Sequence, residues 1–232
     1  MNTINGIKRY GESKHYIDRP LCRFDIINYF IEKNKYLNYL EIGVRAPPAC
    51  LNRIIAEHKD AVDPVPMGNG EVNYPIASDE FFELIKGHDI KYDIIFIDGL
   101  HLYEQVKKDI ENSLKHLSPK GTIIMHDCSP PTVHHAREMY EDYSTPAGSA
   151  WNGTVWEAYV ENRCANPNIT MSVVNTDYGM GVIQFGKKDI WKKDDLKTCQ
   201  KYSYLEKNRK ELLNLLEIEE FAQAYKTGFY NG

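Results

Sequence analysis

The sequence has no long apolar run and no large excess of charge of either sign. No stretch approaches the roughly 20 consecutive apolar residues that a membrane-spanning helix needs, and the polar N-terminus lacks the apolar segment of a secretory signal. The formal net charge is −5 at pH 7, and the lysines and arginines are scattered, which argues against a nucleic-acid-binding surface. We therefore expect a cytoplasmic protein with no membrane or nucleic-acid partner.

The chain also lacks paired cysteines. Its five cysteines are widely spaced, and none forms a CxxC pair of the kind that binds zinc or carries out redox chemistry. An odd number of isolated thiols is best explained by a reducing compartment. At 232 residues, the chain is long enough for one domain with additions at its ends.

The stretch from Tyr92 to Cys128 contains the clearest pattern. Residues 94–97 form a continuous apolar run, typical of a parallel strand buried on both faces, and residues 122–125 predict a second strand. Between them, apolar residues recur every three or four positions and predict a helix whose charged residues face water. These apolar positions are Leu102, Val106, Ile110, Leu114 and Leu117. Because crossovers between parallel strands are right-handed, both strands should end at the same edge of the sheet.

Strand and helix patterns alternate on both sides of this unit, which predicts an α/β fold with a doubly wound sheet. Before the unit, the patterns predict helices over 24–34, 51–58 and 80–86, the last capped by Ser78-Asp79, and strands over 39–44, 61–63 and 72–76. After it come a long connection over 129–149, a helix over 151–163, and antiparallel strands over 169–174 and 181–185.

The two ends of the chain differ from this alternating core. We predict an N-terminal arm and helix over 1–36, a core over 37–186 with a lid insertion at 129–150, and a helical extension over 187–232. In the extension, apolar residues recur at roughly helical spacing. The extension would pack on the core or on another subunit, and the second arrangement would make the protein a homo-oligomer.

Polar residues at the ends of the early strands indicate a nucleoside site. Glu41 and Gly43 end one strand, and Asp63 ends the next, about twenty residues later. In such folds a glycine lets the backbone approach the ligand, and the second acid accepts the ribose hydroxyls. A GxGxxG phosphate loop is missing, since Ala46-Pro47-Pro48 follows instead, and this favours S-adenosylmethionine over NAD. The alternative is a structural glycine with two surface acids.

Asp98 and Asp127 follow the two central strands and should be neighbours in space. Two carboxylates at adjacent strand ends can hold a hard divalent cation. His126 could add a nitrogen ligand, or it could point back into the sheet as a hydrogen-bonded core histidine, since neighbouring strand residues alternate faces. Asp127 could alternatively cap the segment that follows it.

His101 lies shortly after Asp98, at the predicted start of a helix. Its imidazole could remove the proton from a substrate hydroxyl as that hydroxyl attacks a methyl group. A helix N-terminus disfavours the imidazolium, so we expect a lowered pKa that keeps His101 neutral. The alternative is a capping residue or a hydrogen-bond partner of Asp98.

Two tryptophans, Trp151 and Trp156, bracket a predicted helix start. Trp151 could stack on a sugar or another flat face of a substrate, and Asn152 could hydrogen-bond its hydroxyl groups. Helix capping and core packing suit Trp156 better. The turn Asp177-Tyr178-Gly179 could line the same pocket or could be only a hairpin.

The combination of motifs at the predicted strand ends resembles the class I S-adenosylmethionine-dependent methyltransferases. The motifs are Glu41-Ile42-Gly43, Asp63, Asp98-Gly99-Leu100-His101 and His126-Asp127. The nearest branch is the metal-dependent sugar and natural-product O-methyltransferases, whose fourth strand ends in Ile-Asp-Gly-x-His and whose fifth ends in His-Asp or a similar acidic pair. The resemblance covers about residues 37–186. It implies a Rossmann-like, seven-stranded sheet, mostly parallel with one antiparallel strand, and helices on both faces.

The resemblance also implies roles for residues. Asp98 and Asp127 would bind Mg²⁺ or another divalent cation, to which His126 could add a nitrogen ligand by its position, and His101 would be the base, assisted by Asp98. S-adenosylmethionine would lie against a set of strand-end and loop residues, namely Glu41, Gly43, Asp63, Ser78, Asp79 and Asp98. The chain departs from the family pattern at Ala46-Pro47-Pro48, which replaces the usual glycines, and at His126, where relatives can have a carboxylate.

The sequence therefore predicts an O-methyltransferase that acts on a hydroxyl of a sugar or glycan precursor, assisted by a divalent metal and a histidine base. One alternative is methylation of a catechol-like small molecule, whose neighbouring hydroxyls would chelate the same ion. Another is a non-catalytic nucleotide-binding module in which Pro47-Pro48 has replaced a working cofactor loop.

Overall fold

The computed structural model describes residues 3–10, 20–67, 72–187 and 190–231. A small antiparallel hairpin of β1 (Thr3–Ile4) and β2 (Ile7–Lys8) lies near the N-terminus. The main sheet has seven strands, which are β3 (Asn38–Ile42), β4 (His58–Val62), β5 (Tyr92–Ile97), β6 (Leu117–Met125), β7 (Ile169–Val174), β8 (Met180–Phe185) and β9 (Leu215–Leu216). Residues 11–19 of the predicted N-terminal arm lie outside the described residues.

The strand order of the main sheet is β4-β3-β5-β6-β8-β7-β9. β8 runs antiparallel to both of its neighbours, and every other neighbouring pair is parallel. The helices are α1 (Arg23–Asn34), α2 (Ser78–Leu84), α3 (Tyr103–His116), α4 (Val155–Ala165), α5 (Leu196–Cys199), α6 (Tyr202–Leu212) and α7 (Ile218–Ala224). None of these helices has the length and apolar character that crossing a membrane requires. The predicted doubly wound sheet with one antiparallel strand is confirmed.

Helices cover both faces of the sheet, and this explains why the sequence of β5 is continuously apolar. Ile95 and Ile97 belong to the core under α2, α3, α4 and α6, whereas Ile94 and Phe96 belong to the core under α1 and α7. All four side chains are buried. Because successive residues of a strand point to opposite faces, a strand covered on both sides needs apolar residues at every position.

The C-terminal extension packs against the N-terminal helix of the same chain. The Phe221 and Tyr225 rings lie 5.9 and 5.3 Å from the Phe30 ring, centroid to centroid, and the Tyr29 hydroxyl donates to the backbone oxygen of Tyr225 at 2.7 Å. β9 adds a parallel strand beside β7. The extension therefore completes the core of its own chain, while the domain bounds and the homo-oligomer stay predictions.

Two predicted elements are wrong. Residues 51–58 do not form a helix, since short 3₁₀ turns at Pro47–Ala49 and Leu51–Arg53 lead directly into β4. Pro47 and Pro48 lack the N–H donors that an α-helix needs, which accounts for the first of these turns. Residues 72–76 do not form a strand, because Tyr74 makes only a single parallel bridge to Val62. The seventh strand is instead β9, whose two residues are too short to show a sequence pattern.

Candidate functional site

The carboxyl ends of β3, β5 and β6 form one edge of the sheet. Backbone hydrogen bonds continue the pairing past the strands, since the Asp98 N–H donates to Ile42 at 2.8 Å and the His126 N–H donates to Ile97 at 3.0 Å. A cavity of about 820 Å³ opens at this edge. Its lining includes all four polar residues that the sequence placed there, which are Asp98, His101, His126 and Asp127.

Gly43 allows the ends of β3 and β5 to approach closely. Its φ is +85°, and a Cβ at this position would lie 2.2 Å from the backbone oxygen of Asp98. The Gly43 N–H donates to Val62 at 2.8 Å, which ties the same point to β4. A left-handed conformation with no room for a side chain admits only glycine. The predicted glycine is therefore required by contact between strands, and it also lines the cavity.

Glu41 lies in the cavity lining but is almost fully buried, with 1% of its surface exposed. The Tyr39 hydroxyl donates to its Oε2 at 2.6 Å. Burial raises the pKa of Glu41 to about 8, and the nearby Asp98 charge adds to this, although the Tyr39 hydrogen bond opposes it. Glu41 is therefore mainly protonated at neutral pH.

Asp63 also lines the cavity, and its carboxylate holds the loop that follows β3. One oxygen accepts the backbone N–H of Arg45 at 2.7 Å, and the other accepts that of Val65 at 2.7 Å. Each carboxylate oxygen has a second lone pair, so Asp63 can accept further hydrogen bonds from a ligand. Asp63 thus lies at the cavity, as the sequence predicted for a strand-end acid, and it also holds the loop after β3 in position.

Ser78 and Asp79, predicted together as cofactor residues, lie in different environments. Ser78 lines the cavity as the first residue of α2, so it does not cap that helix. Asp79 is not part of the cavity lining, and its carboxylate binds Lys108 on the surface at 2.9 Å. Consecutive residues in the first turn of a helix point in different directions, which separates the two side chains.

A polar cluster beside Ser78 was missed by the sequence analysis. The Ser78 hydroxyl donates to Asp109 at 2.7 Å, and Gln105 Nε2 lies 3.1 Å from the same Asp109 oxygen. All three residues line the cavity. Asp109 is buried, and burial raises its pKa to about 6. The prediction that the charged residues of α3 face water is wrong at Asp109, and helical spacing alone could have placed Gln105 and Asp109 on one face.

His126 lies among three carboxylates. Its Nδ1 is 2.7 Å from Asp127 Oδ2 and 3.4 Å from Asp98 Oδ1, and its Nε2 is 3.2 Å from Asp177 Oδ1. The Nδ1 contact is a hydrogen bond that the Asp127 carboxylate oxygen can only accept, so Nδ1 carries a proton, whereas Nε2 makes no hydrogen bond within the described residues. Burial alone would lower the pKa of His126, but the charges of Asp98 and Asp127 raise it well above its ordinary value. His126 is therefore an internal cation.

Arg23 of α1 reaches the same cluster and had no predicted role. Its Nη1 forms an ion pair with Asp98 Oδ2, and its Nε lies 3.1 Å from Asp177 Oδ2. The backbone N–H of Arg23 also donates to Asp177, at 2.9 Å. Burial would raise the pKa of Asp98, but His126, His101 and Arg23 together hold it well below its usual range. Asp98 is therefore ionised.

His101 lies between Asp98 and Trp151. Its Nε2 is 3.3 Å from Asp98 Oδ1, and its Nδ1 is 3.1 Å from the Trp151 backbone oxygen and 3.3 Å from Asp127 Oδ2. Burial lowers the pKa of His101, but the Asp98 hydrogen bond and the Asp127 charge outweigh burial and raise it. The predicted lowering by a helix N-terminus is wrong, because α3 begins only at Tyr103 and the two acids are closer.

Residues 152–154 fix the positions of His101 and Asp127. Buried Asn152 donates from Nδ2 to Asp127 Oδ1 at 2.7 Å, and the Thr154 N–H donates to the His101 backbone oxygen at 2.9 Å. Gly153 has a φ of +61°, and a Cβ there would lie 2.0 Å from the same oxygen. Asn152 thus positions Asp127, and its Oδ1 has no hydrogen-bond partner within the described chain. Its predicted contact with substrate stays a prediction.

Aromatic side chains form one wall of the cavity. The Trp151 ring stacks on His101 with 4.9 Å between centroids and lies 5.2 Å from the Tyr140 ring. Trp151 Nε1 donates to the Arg137 backbone oxygen at 2.7 Å, so the predicted lid holds the indole. Tyr178 also lines the cavity, in a turn where it and Asp177 have φ values of 62° and 44°. Such left-handed residues cost free energy and are common at functional sites.

A divalent cation would have to compete for its ligands here. One atom from each of Asp98, His101 and Asp127 lies within 4.8 Å of the others, a spacing that a metal site could have. However, the carboxylate oxygens already contact Arg23, His126 and Asn152. As an imidazolium, His126 has no lone pair to offer. In this arrangement the residues do not fit a divalent cation, and the predicted Mg²⁺ stays a prediction.

Residues 55–128 match a sequence family described as a methyltransferase domain. This segment contains the strand-end residues Asp63, Asp98, His101 and Asp127. An uncharacterised protein of Sinorhizobium fredii, y4gI, is 26% identical over 100 residues, which are 43% of this chain and 9% of that protein. The chain thus matches only a small part of its curated relative.

Two solved structures are among those to which this chain is similar, and the first of them shares its fold. The S-adenosylhomocysteine-bound methyltransferase PaMTH1 of Podospora anserina has a TM-score of 0.50 and 14% identity, over 70% of this chain and 77% of that chain. An O-methyltransferase of Bacillus cereus, also in complex with S-adenosylhomocysteine, has a TM-score of 0.44 and 14% identity, over 76% and 82% of the two chains. Residues 55–128 thus match a methyltransferase domain, and the doubly wound sheet of this chain is the fold of the class I, S-adenosylmethionine-dependent methyltransferases.

Proposed function

We propose that this chain transfers a methyl group from S-adenosylmethionine to a hydroxyl of a sugar or glycan precursor. The observation that carries the proposal is the cavity, whose lining includes Gly43 and Asp63 as well as His101, Trp151 and Tyr178. Its volume of about 820 Å³ is within the range of ligand pockets in proteins. A nucleoside site and an acceptor site can therefore share it.

The residues on the β3 and β4 side of the cavity fit S-adenosylmethionine in their chemistry. Asp63 has lone pairs left for ribose hydroxyls, and the cluster of Ser78, Gln105 and Asp109 offers hydroxyl, amide and carboxyl groups to the polar atoms of adenosine. Because burial keeps Glu41 mainly neutral, it adds no second negative charge at this point. When bound, the cofactor would supply an electrophilic methyl group on a sulfonium.

In the proposed reaction the hydroxyl oxygen forms a bond to the methyl carbon as the carbon–sulfur bond breaks. The products are a methyl ether and S-adenosylhomocysteine, and the hydroxyl proton goes to His101. A backbone oxygen can only accept, so the contact with Trp151 assigns the hydrogen of neutral His101 to Nδ1 and leaves Nε2 to take the proton. Asp98, 3.3 Å from Nε2, stabilises the resulting imidazolium.

The aromatic wall supports a sugar as the acceptor. Trp151, Tyr140 and Tyr178 can pack against the C–H face of a sugar ring. Asn152 Oδ1, which has no hydrogen-bond partner among the described residues, can accept a hydroxyl hydrogen. An aromatic acceptor could use the same wall. A chelated catechol, however, needs an ion on carboxylate oxygens that Arg23, His126 and Asn152 already contact. The sugar is therefore the proposed acceptor class.

The proposal is tested in two stages. Calorimetry should first detect binding of S-adenosylmethionine and S-adenosylhomocysteine to the purified protein, and failure of both to bind would remove the proposal. Transfer of radiolabelled methyl groups to a panel of free sugars, nucleotide sugars and catechols should then label a sugar. Labelling of catechols alone would favour the second acceptor class. Binding without transfer to any hydroxyl would favour a nucleotide-binding module.

A further inference from the structure

We infer that Arg23 and His126 take the electrostatic place of a divalent cation, so that this methyltransferase works without a metal. The catalytic part of the inference rests on the proposed methyl transfer, whereas the part on ion binding stands without it. It concerns the carboxylates of Asp98 and Asp127, which the sequence assigned to a metal.

The oxygens of these two carboxylates are already in use. Asp98 Oδ2 pairs with Arg23, and Asp98 Oδ1 lies 3.3 Å from His101 and 3.4 Å from His126. Asp127 Oδ2 lies 2.7 Å from His126, and Asp127 Oδ1 accepts the Asn152 amide at 2.7 Å. A hard cation binds through oxygen lone pairs that point at it without competing hydrogens. An ion would therefore have to displace a guanidinium, the His126 ring or a buried amide.

The two cations are held in place by a third acid. The Asp177 carboxylate contacts His126 Nε2 at 3.2 Å through Oδ1, and it accepts both the backbone N–H and Nε of Arg23 through Oδ2. Asp177 adopts a left-handed φ of 44°, which only a well-determined turn maintains. His126 is 4% exposed, so its ring is enclosed by the cluster. The cationic pair is therefore a fixed part of the fold.

Arg23 and His126 fill the space among the carboxylates of Asp98, Asp127 and Asp177 without an ion. A divalent ion at the same point would be repelled by the Arg23 guanidinium, which lies within a few ångströms of its ligands. Arg23 and His126 are thus positioning residues, which hold Asp98 and Asp127 oriented toward His101.

Ion binding is tested directly with Mn²⁺, followed by electron paramagnetic resonance and calorimetry on the purified 232-residue chain. We expect no bound Mn²⁺ at concentrations up to about 1 mM, the range of weak carboxylate sites. His126→Glu removes one cation and adds a ligand, so it should bind Mn²⁺ at least about tenfold more tightly than the unchanged protein. If His126→Glu does not fold, as judged by circular dichroism, Arg23→Gln takes its place, with the same expected direction.

Two results would overturn the inference. One is Mn²⁺ binding by the unchanged protein that Asp127→Asn abolishes. The other is a folded variant that still binds no Mn²⁺, because the cations would then not be what excludes the ion. Neither result depends on knowing the acceptor, so failure here is distinct from failure of the proposed function.

The catalytic part is tested once an acceptor is known. Protein treated with a chelator and checked for residual metal should transfer methyl groups at a rate within about twofold of untreated protein, and added Mg²⁺ should not change it. A loss of tenfold or more that Mg²⁺ restores would overturn the inference, since metal catalysis typically makes contributions of at least this size. Retained S-adenosylmethionine affinity in the same samples shows that the chelator has not damaged the fold.

Discussion

Arg23 binds Asp177 with 3.1 Å between Nε and Oδ2, although 154 residues separate them in the sequence. This pair joins the first turn of α1 to the turn between β7 and β8. It also places the Arg23 guanidinium against Asp98 at the end of β5. The N-terminal helix is therefore part of the candidate site, even though the family match begins only at residue 55.

Replacing Arg23 by glutamine should reduce both stability and turnover. The change leaves Asp98 and Asp177 without their guanidinium, and loss of one partner of a buried pair typically costs 3–5 kcal/mol. Because 26% of the Arg23 side chain is exposed, the cost should be smaller than for a fully buried pair. We expect the free energy of unfolding, measured in urea, to fall by about 2 kcal/mol. Lys86→Gln, which breaks an exposed pair with Glu83, is the matched control and should cost less than about 0.5 kcal/mol. Equal costs for both variants would contradict a role for Arg23 in the site.

Replacing His101 by alanine should remove most of the turnover while leaving cofactor affinity nearly intact. A general base typically contributes about 10²–10⁴ in rate. Methyl transfer to the identified acceptor and calorimetry with S-adenosylmethionine measure the two quantities separately. His88→Ala, at an exposed position, should leave both unchanged. Turnover that survives in His101→Ala would exclude His101 as the base.

The pH dependence of turnover should reflect the protonation of His101. Only neutral His101 can accept a proton, so the rate should rise with pH and be lost as pH falls through the pKa of His101. Since Asp98 and Asp127 raise that pKa against the effect of burial, the midpoint should lie above the ordinary histidine value of about 6.5. Rate measurements at saturating substrate over pH 5 to 9 locate it. A midpoint below 6.5 would show that the acids do not act on the base as the geometry indicates.

Replacing Gly43 by alanine should destabilise the protein far more than the same change at Gly87. Both glycines have left-handed φ values, +85° and +80°. A Cβ at Gly43 would lie 2.2 Å from the Asp98 backbone oxygen, whereas a Cβ at Gly87 meets nothing within 4 Å. Gly87→Ala should cost about 1–2 kcal/mol for backbone conformation alone. Gly43→Ala should cost at least about 2 kcal/mol more, because the strand ends must separate. Similar urea midpoints for the two variants would contradict the close approach.

Glu41 should make the stability of the protein depend on pH. Its carboxyl has a folded-state pKa of about 8 against 4.5 in the unfolded chain, so the folded state holds the proton more tightly. The contribution is fully present below pH 4.5 and is lost as pH rises through 8. Glu41→Gln should abolish this dependence and become the more stable form near pH 8, by a few kcal/mol at about 1.4 kcal/mol per pKa unit. Urea unfolding at several pH values tests this, with exposed Glu83→Gln as a control that should leave the slope unchanged.

The sequence alone predicted every strand of the main sheet except β9, and the residues at the edge of the sheet. The apolar run of β5 is typical of a strand buried on both faces, and the alternation of strands with helices around it predicts a doubly wound sheet. Parallel strands end at the same edge of a sheet. Once the two strands were predicted correctly, Asp98, His101 and Asp127 were therefore expected to lie near each other. Local patterns were sufficient here because these residues lie in one continuous strand–helix–strand unit.

Only the tertiary structure decided what the acids at this edge contact. No periodicity links Arg23 to Asp177, because they meet through the packing of α1 against a distant turn. In the sequence alone, His126 resembles a metal ligand. In the structure, where Asp177 and Arg23 join the cluster, it is a buried cation among carboxylates. Likewise, helical spacing places Asp109 on the polar side of α3. In the structure, Asp109 accepts a hydrogen bond from Ser78 and is part of the cavity lining. The protonation state of a group depends on every charge around it in space, and sequence patterns report only the neighbours along the chain.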